Sequence, residues 1–314
     1  MNKTAEQPLV AIRCITYNHE AYIRDALDGF VMQKTDFPYV AIIHDDASTD
    51  RTAEIIKEYA AKYPHIIKPI YETENQYSKR DGSLSRIMRD ACIASRAKYI
   101  AMCEGDDYWT DPLKLQKQVD FLESHPDYSM CFHNAVIHYE DGNQEERLFS
   151  DIETRQYFEK ELTSGWLGAT ASYVFRRSVL LSRYFTEFVN STKFIVGDYP
   201  LLLSCIRSGK IFAISDCMSV YRINPGGWTQ RKHSAYKFIE MEREVDRIFG
   251  GIAGESAKIN ASKCSREALS LLFKGNMHES FKIWNSALKF APWLTIKANV
   301  KFAFRLCRSK FGRL

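Results

Sequence analysis

Apolar residues along the first third of the chain follow two alternating patterns. Short apolar runs typical of buried strands alternate with stretches in which apolar residues recur at helical spacing. The predicted strands are Leu9–Ile15, Tyr39–Ile43, Ile66–Tyr71 and Tyr99–Cys103, and the predicted helices between them cover Tyr22–Val31, Ala53–Ala60 and Leu84–Arg96. This β-α-β-α-β-α-β order predicts parallel strands joined by right-handed crossovers.

The rest of the chain continues with mixed elements and ends in helices. A helix over Leu113–Leu122 is followed by predicted strands at Ser129–Tyr139, Tyr173–Arg176, Ile211–Ile214 and Cys217–Arg222, and His233 to Leu314 is helical in pattern. We therefore predict an α/β domain over residues 1–230, whose first half, at about 8–110, has the general form of a nucleotide-binding sheet and whose second half covers about 111–230. A basic helical region over 231–314 follows it.

Two of the predicted strands end in paired aspartates, Asp45-Asp46 and Asp106-Asp107. In a parallel sheet both pairs lie at the same edge, where ligands usually bind. Neighbouring carboxylates repel each other unless a cation or a proton lies between them, and hard oxygen ligands suit Mg²⁺ or Mn²⁺. Either pair alone also fits the capping of a helix. Both pairs in one sheet favour a ligand site.

Composition and charge narrow the class of protein. The chain is 45% hydrophobic and 26% charged, as in ordinary globular proteins. The eight cysteines form no CxxC pair, which favours a reducing compartment and argues against zinc. From Glu255 to the end there are twelve Lys/Arg and three Asp/Glu, a surplus of +9, so Met1–Gly254 carries −5 of the total of +4. No signal peptide or membrane span is predicted, and we expect a cytoplasmic or peripheral protein.

Known nucleotide-binding fingerprints are missing. The chain contains neither GxGxxG nor GxxxxGK[ST]. It does contain Thr16-Tyr17-Asn18, Asp45-Asp46-Ala47-Ser48-Thr49-Asp50, Glu104-Gly105-Asp106-Asp107-Tyr108-Trp109 and Asp111-Pro112-Leu113-Lys114-Leu115-Gln116-Lys117-Gln118. In order and spacing these motifs resemble those of family 2 glycosyltransferases, from Pro8 to about Asn224. The resemblance implies an inverting enzyme of the GT-A fold, with a Rossmann-like, mainly parallel sheet, that uses a nucleotide-sugar donor and a divalent metal ion.

The resemblance also implies roles for the residues that match. Thr16, Tyr17 and Glu20 line the nucleotide pocket, and Asp46 hydrogen-bonds uracil or another base. Asp106 contacts the ribose and sugar, and Asp107 binds Mn²⁺ or Mg²⁺ at the donor diphosphate. The family often has Asp-x-Asp here, so either Glu104 or Asp106 takes the leading position. Arg80, with its neighbours Arg86 and Arg89, is a candidate to neutralise the diphosphate, although arginines on a helix are often simply solvated.

The resemblance makes the second half of the domain, about 111–230, the acceptor half. There Asp198 matches the position of the general base that deprotonates the acceptor hydroxyl. It also fits a helix N-terminus followed by proline, and the two roles are compatible because the helix dipole favours the ionised carboxylate. Trp166 offers an aromatic face to a sugar ring, or packs in the core. Arg222 and Trp228, beside the flexible Asn224–Thr229 turn, are candidates for a lid over the donor phosphates.

We therefore expect a sugar to pass by single displacement from a nucleoside-diphosphate donor, by resemblance a UDP-sugar, to a glycan or lipid-linked acceptor. The family context suggests O-antigen or capsule assembly. The basic, aromatic C-terminal helices are typical of a helix on an anionic membrane surface, with packing on the domain or a homodimer as the alternatives. Nucleic acid is not an expected partner. The competing functions are a sugar-phosphate nucleotidyltransferase, whose glycine- and lysine-rich loop is missing at Thr16–Glu20, and a non-catalytic nucleotide-sugar-binding scaffold.

Overall fold

The computed structural model describes residues 7–227, 235–250, 264, 267, 268, 270, 271 and 276–290. Trp228 and residues 291–314, on which sequence predictions were made, lie outside this part. The chain divides into two compact units. The first comprises Met1–Thr192 with Gly197–Gln230, and the second comprises Lys193–Val196 with Arg231–Leu314.

The first half of the larger unit has the predicted alternation of strands and helices. Four parallel strands lie side by side in the order β3-β2-β1-β4. The strands are β1 (Val10–Thr16), β2 (Tyr39–Asp45), β3 (Ile67–Tyr71) and β4 (Tyr99–Met102), and the helices are α1 (Ile23–Val31), α2 (Thr52–Lys62), α3 (Gln76–Lys79) and α4 (Ser83–Ala94). Both paired-aspartate segments therefore follow strands at one edge of the sheet, as the pattern predicted.

The sheet continues into the second half with mixed pairing. Beyond β4 the order is β9-β6-β10-β5, with β9 antiparallel to its neighbours and β6 parallel to β10. The strands are β5 (Tyr108–Trp109), β6 (Tyr128–Tyr139), β7 (Arg147–Leu148), β8 (Arg155–Tyr157), β9 (Val174–Arg176) and β10 (Lys210–Ile223), and the helices are α5 (Lys114–Ser124), α6 (Glu159–Ser164), α7 (Arg183–Val189) and α8 (Asp198–Ile206). The prediction of a mixed, mainly parallel sheet is confirmed.

One prediction about this half was wrong. The two short strands expected at Ile211–Ile214 and Cys217–Arg222 are one strand, β10, with register shifts between Ile214 and Ser219. The polar residues Ser215 and Asp216, which suggested a break, form an irregularity in the strand and bond outward: Asp216 accepts from Lys117 at 2.6 Å. A bulge of this kind lets a strand carry polar residues without ending.

The core lies on both faces of the parallel strands. Val10, Ile12 and Cys14 of β1 are fully buried and pack with α1 residues such as Leu27 and Phe30. A strand covered on both faces is apolar throughout, because each side chain meets a packed layer. This explains the unbroken apolar runs of the sequence.

The smaller unit contains two described helices, α9 (Ala235–Phe249) and α10 (Met277–Phe290). They share a small buried cluster in which Ile239 and Ile283 pack with Cys264 and Ala268. The helical pattern predicted after His233 is thus present over these two stretches. Among the described residues no helix is long and apolar enough to cross a bilayer.

Candidate active site

The loop between β4 and β5, residues 103–107, is the centre of the candidate site. We call it the acid loop, and it packs tightly on the end of β1. A Cβ atom at Gly105 would lie 2.6 Å from both Cβ and Oγ1 of Thr16. Only glycine allows this approach without moving the backbone. Thr16 itself is buried, so its side chain supports the loop, and its carbonyl accepts the N–H of Asp46 at 3.0 Å.

Glu104 is bound to β1. Its Oε1 accepts from Arg13 Nη1 at 2.9 Å, and its Oε2 accepts the N–H of Ile15 at 3.1 Å. Both carboxylate oxygens are therefore used in holding the loop against the strand. Of the two candidates for the leading acid, Asp106 remains the one that the fold does not already use in this way.

Asp106 and Asp107 lie side by side in different environments. Asp107 is buried, and its Oδ1 accepts the backbone N–H of Arg222 at 2.9 Å. Burial, together with the charge of Asp106, raises the pKa of Asp107 well above its ordinary value. Asp106 is more open: its Oδ2 accepts from Asn224 Nδ2 at 3.0 Å and lies 3.9 Å from His19 Nε2.

Arg222 connects the acid loop to two other segments. Its Nε donates to the carbonyl of Asp106 at 2.8 Å, and its Nη2 donates to Asp25 of α1 at 2.6 Å. Its Nη1 donates to Glu140, which follows β6. Two carboxylates thus neutralise a guanidinium whose side chain is only 8% exposed.

Two aromatic rings enclose the same guanidinium. Its carbon lies 4.9 Å from the ring centre of Tyr22 and 5.0 Å from that of Tyr108, distances at which cations and aromatic faces attract. The guanidinium is therefore held by two carboxylates and two rings, while Nε and the backbone N–H of Arg222 bond the acid loop. The predicted lid role of Arg222 stays a prediction, and its predicted companion Trp228 lies outside the described residues.

Asp46 is fixed by the backbone at the start of α3. Its two oxygens accept the N–H groups of Gln76 at 2.7 Å and Tyr77 at 3.0 Å, and the residue is 1% exposed. A bond from Asp46 to a nucleotide base would have to use lone pairs beyond these two contacts. Two exposed rings adjoin Asp46: Tyr77, 48% exposed, and Tyr17, 42% exposed.

The other predicted nucleotide-binding residues lie at the same edge of the sheet. Glu20 is exposed and accepts the N–H of Arg51, at the start of α2, at 3.0 Å. Arg80 is exposed just after α3, with a left-handed backbone (φ 54°). Within the described part of the chain its side chain forms no ion pair, whereas Arg86 contacts Asp81. Arg80 is therefore the more available cation of the two.

Asp198 is the first residue of α8, as predicted. Its Oδ1 accepts the N–H of Tyr199 at 2.8 Å. Burial raises the pKa of Asp198 from 3.8 to about 6, and the negative charge of Glu104 adds to the rise. Trp166, 49% exposed, has its ring centre 6.3 Å from that of Tyr199.

The fold thus connects Asp46 to the acid loop. Asp46 donates its N–H to the carbonyl of Thr16, and Thr16 packs on Gly105 of that loop. Sequence reasoning missed several residues that build this region: Arg13, His19, Asp25, Glu140 and Asn224. Arg13 left a signal, since it interrupts the apolar run of β1 with a charge that a buried strand tolerates only when it is paired.

Comparison with known proteins agrees with this geometry. The family model described as "Glycosyl transferase family 2" matches residues 12–185. An uncharacterised protein of Mycobacterium tuberculosis is 40% identical over 228 residues, which is 72% of this chain and 61% of that protein. The chain thus spans about three fifths of the length of that relative. A teichuronic acid biosynthesis glycosyltransferase of Bacillus subtilis, TuaG (putative), is 24% identical over 76% of this chain and 90% of its own.

Solved structures of similar fold are glycosyltransferases of the GT-A type. Staphylococcus aureus TarS in complex with UDP-GlcNAc matches with a TM-score of 0.62 at 17% identity, over 90% of this chain and 80% of that one. A mannosyltransferase of Pyrobaculum calidifontis, solved with GDP-Man and Mn²⁺, matches with a TM-score of 0.53 at 16% identity, over 94% and 87%. Motifs, fold and family match agree: the chain belongs to glycosyltransferase family 2 and has the GT-A fold.

Proposed function

We propose that the enzyme is a metal-dependent inverting glycosyltransferase. It moves a sugar from a nucleoside-diphosphate donor, a UDP-sugar in our proposal, to a hydroxyl of a glycan or lipid-linked saccharide. The observation that supports this most strongly is the pair Asp106 and buried Asp107 at the strand ends of the sheet. Asp198, the first residue of α8, adds a carboxyl group whose pKa is raised to about 6. A carboxylate with a pKa close to neutral is ionised at neutral pH and still basic enough to accept a proton.

Asp198 acts as the general base in this proposal. It takes the proton of the acceptor hydroxyl while that oxygen attacks the anomeric carbon on the face opposite the leaving diphosphate. One displacement forms the new glycosidic bond, breaks the bond to the diphosphate and inverts the anomeric configuration. The exposed ring of Trp166, beside Tyr199, is placed to support the acceptor sugar, because aromatic faces stack on the apolar faces of sugar rings.

The acid loop fits a divalent ion held jointly with a substrate. Among the described residues no cluster of three or more Asp, Glu, His or Cys side chains forms a complete metal cage. Asp107 offers a hard oxygen ligand beside Asp106, and Mg²⁺ or Mn²⁺ typically binds through one or two carboxylates plus substrate phosphates. The raised pKa of Asp107 also fits, since a cation there would favour the ionised form. When bound, the ion would stabilise negative charge on the departing diphosphate.

The nucleotide occupies the adjoining strand ends in this proposal. Tyr17 and Tyr77 offer exposed rings to the base, and the N–H of Tyr77, at the start of α3, bonds Asp46. Asp106 contacts the ribose and the sugar, and Arg80 is the free cation at the diphosphate. The choice of UDP draws support from TarS, which was solved with UDP-GlcNAc. The mannosyltransferase solved with GDP-Man makes a guanine nucleotide the competitor to test.

A nucleotide-sugar screen tests the proposal. Thermal stability of the full chain is measured with each of a panel of UDP-, GDP- and dTDP-sugars, with and without Mn²⁺. We expect one donor to raise the melting temperature only when Mn²⁺ is present, and hydrolysis of that donor to be lost in Asp198→Asn while its binding persists. Stabilisation by a sugar phosphate plus a nucleoside triphosphate would indicate a nucleotidyltransferase instead. Binding without any turnover would indicate a scaffold.

A further inference from the structure

Helix α10 of the smaller unit has three large apolar residues on its exposed side. Met277, Phe281 and Trp284 are 69%, 61% and 41% exposed. Their spacing of four and three residues places them on one side of the helix, within an arc of about 60° at 100° per residue. We call this surface the Met277–Trp284 face. Surface helices of globular proteins normally keep large apolar residues on the packed side, whereas these three are exposed beside polar residues such as His278 and Asn285.

The inner side of the helix is already packed. Ile283 is buried with Ile239 and Ala268, and Ser280 Oγ donates to the carbonyl of Ala268 at 2.6 Å. These contacts fix the rotation of α10 within its unit. The apolar outer face is therefore a consequence of the packing, and turning the helix to bury it would expose Ile283.

The charge of the surrounding sequence indicates the kind of partner. From Phe281 to the end of the chain there are eight basic residues and no acidic one. The basic residues are Lys282, Lys289, Lys297, Lys301, Arg305, Arg308, Lys310 and Arg313. An apolar face with aromatic residues, set in a strongly basic sequence, has the chemistry of a helix lying in the headgroup region of an anionic bilayer. A second copy of the chain would bring eight more cations and no acids from this stretch, and like charges oppose such pairing.

We propose that the Met277–Trp284 face docks on an anionic lipid bilayer. Phe281 and Met277 enter the acyl boundary, and Trp284 lies at the interface, where tryptophan is enriched. The basic residues supply the attraction to negatively charged headgroups. The proposal does not depend on the donor or the mechanism proposed above, because it concerns residues of the other unit.

Vesicle flotation of the full chain tests this proposal. Vesicles of phosphatidylcholine alone are compared with vesicles that also contain phosphatidylglycerol. We expect the wild type to float only with the anionic vesicles and to be released at high salt. The double variant Phe281→Ser, Trp284→Ser should lose at least tenfold in bound fraction. The matched control His278→Ser, Asn285→Ser changes exposed residues of the same helix outside the face and should bind as the wild type does.

Several results would overturn the proposal. These are equal binding to both vesicle types, unchanged binding of the double variant, or a wild-type dimer that the double variant converts to monomer. A second measurement avoids reliance on the double variant. Anionic vesicles with brominated acyl chains should quench the tryptophan emission of the wild type, and Trp284→Phe should remove part of that quenching. Equal quenching in both proteins would contradict insertion of Trp284.

Discussion

Replacement of Asp198 by asparagine separates the proposed base from the rest of the site. Asparagine keeps the size of the side chain and an acceptor for the Tyr199 N–H, but it cannot take a proton. Loss of a positioned general base typically costs about 10²–10⁴-fold in rate. We expect kcat of Asp198→Asn to fall by that amount while donor binding is retained.

The raised pKa predicts how wild-type activity depends on pH. With a pKa of about 6, roughly nine tenths of Asp198 is ionised at pH 7 and about one tenth at pH 5. In the wild type kcat/KM should therefore fall about tenfold per pH unit below 6. Glu104→Gln removes the charge that adds to the rise, so its acid limb should move to lower pH. Glu123→Gln, which alters a carboxylate paired with Lys98, is the matched control and should leave the limb in place.

The same shift predicts an effect on stability. Because the pKa is higher in the folded chain than the ordinary 3.8, the folded state binds more protons between pH 4 and 6, and stability falls as pH rises through that window. Asp198→Asn should therefore unfold at higher denaturant concentration than the wild type at pH 7.5. The gain is at most about 3 kcal/mol and should vanish below pH 4. A limb near pH 6 that persists in the residual activity of Asp198→Asn, with no gain in stability, would refute the assignment.

Three further substitutions address the acid loop. Asp107→Asn should abolish the stabilisation by donor and Mn²⁺ together, measured as the shift in melting temperature. Arg222→Ala removes a nearly buried guanidinium that bonds Asp106, Asp25 and Glu140, and it should reduce the free energy of unfolding by about 1–3 kcal/mol. Arg222→Lys should recover part of that stability but little kcat, because lysine lacks the planar fork. Gly105→Ala forces the loop away from Thr16, and we expect a loss of about 1–3 kcal/mol by denaturant unfolding together with loss of turnover. Normal activity of Gly105→Ala would contradict the close packing of this loop.

The parallel half of the fold could be predicted because its signals are local. The buried strand Val10–Thr16 is apolar apart from Arg13 and its last residue, Thr16, and α1 has a clear helical period. Each pattern depends on residues close together in the chain, and the crossover rule supplies the arrangement of the strands. The positions of Asp46 and Asp107 at one edge of the sheet followed from the same reasoning.

The contacts inside the site could not be predicted in this way. Arg222 was named from its resemblance to a family position beside a mobile segment, and nothing in its neighbourhood along the chain indicated that Asp25 and Glu140 pair with its guanidinium. Likewise, the sequence around Asp46 did not indicate that its oxygens accept two backbone N–H groups at the start of α3. Such pairings join residues distant in the chain, and no local period encodes them.

The long reach of Arg222 has a consequence for how the protein is made. Its bond to Asp25 spans 197 positions, and its N–H meets Asp107 across 115. Domains emerge from the ribosome from their N-terminus onward, and contacts of such separation form late. A chain halted before β10 can fold its first four strands, but its acid loop lacks the groups that hold it. The proposed catalytic site is therefore complete only when β10 is in place. Chains terminated before β10 should lack transferase activity.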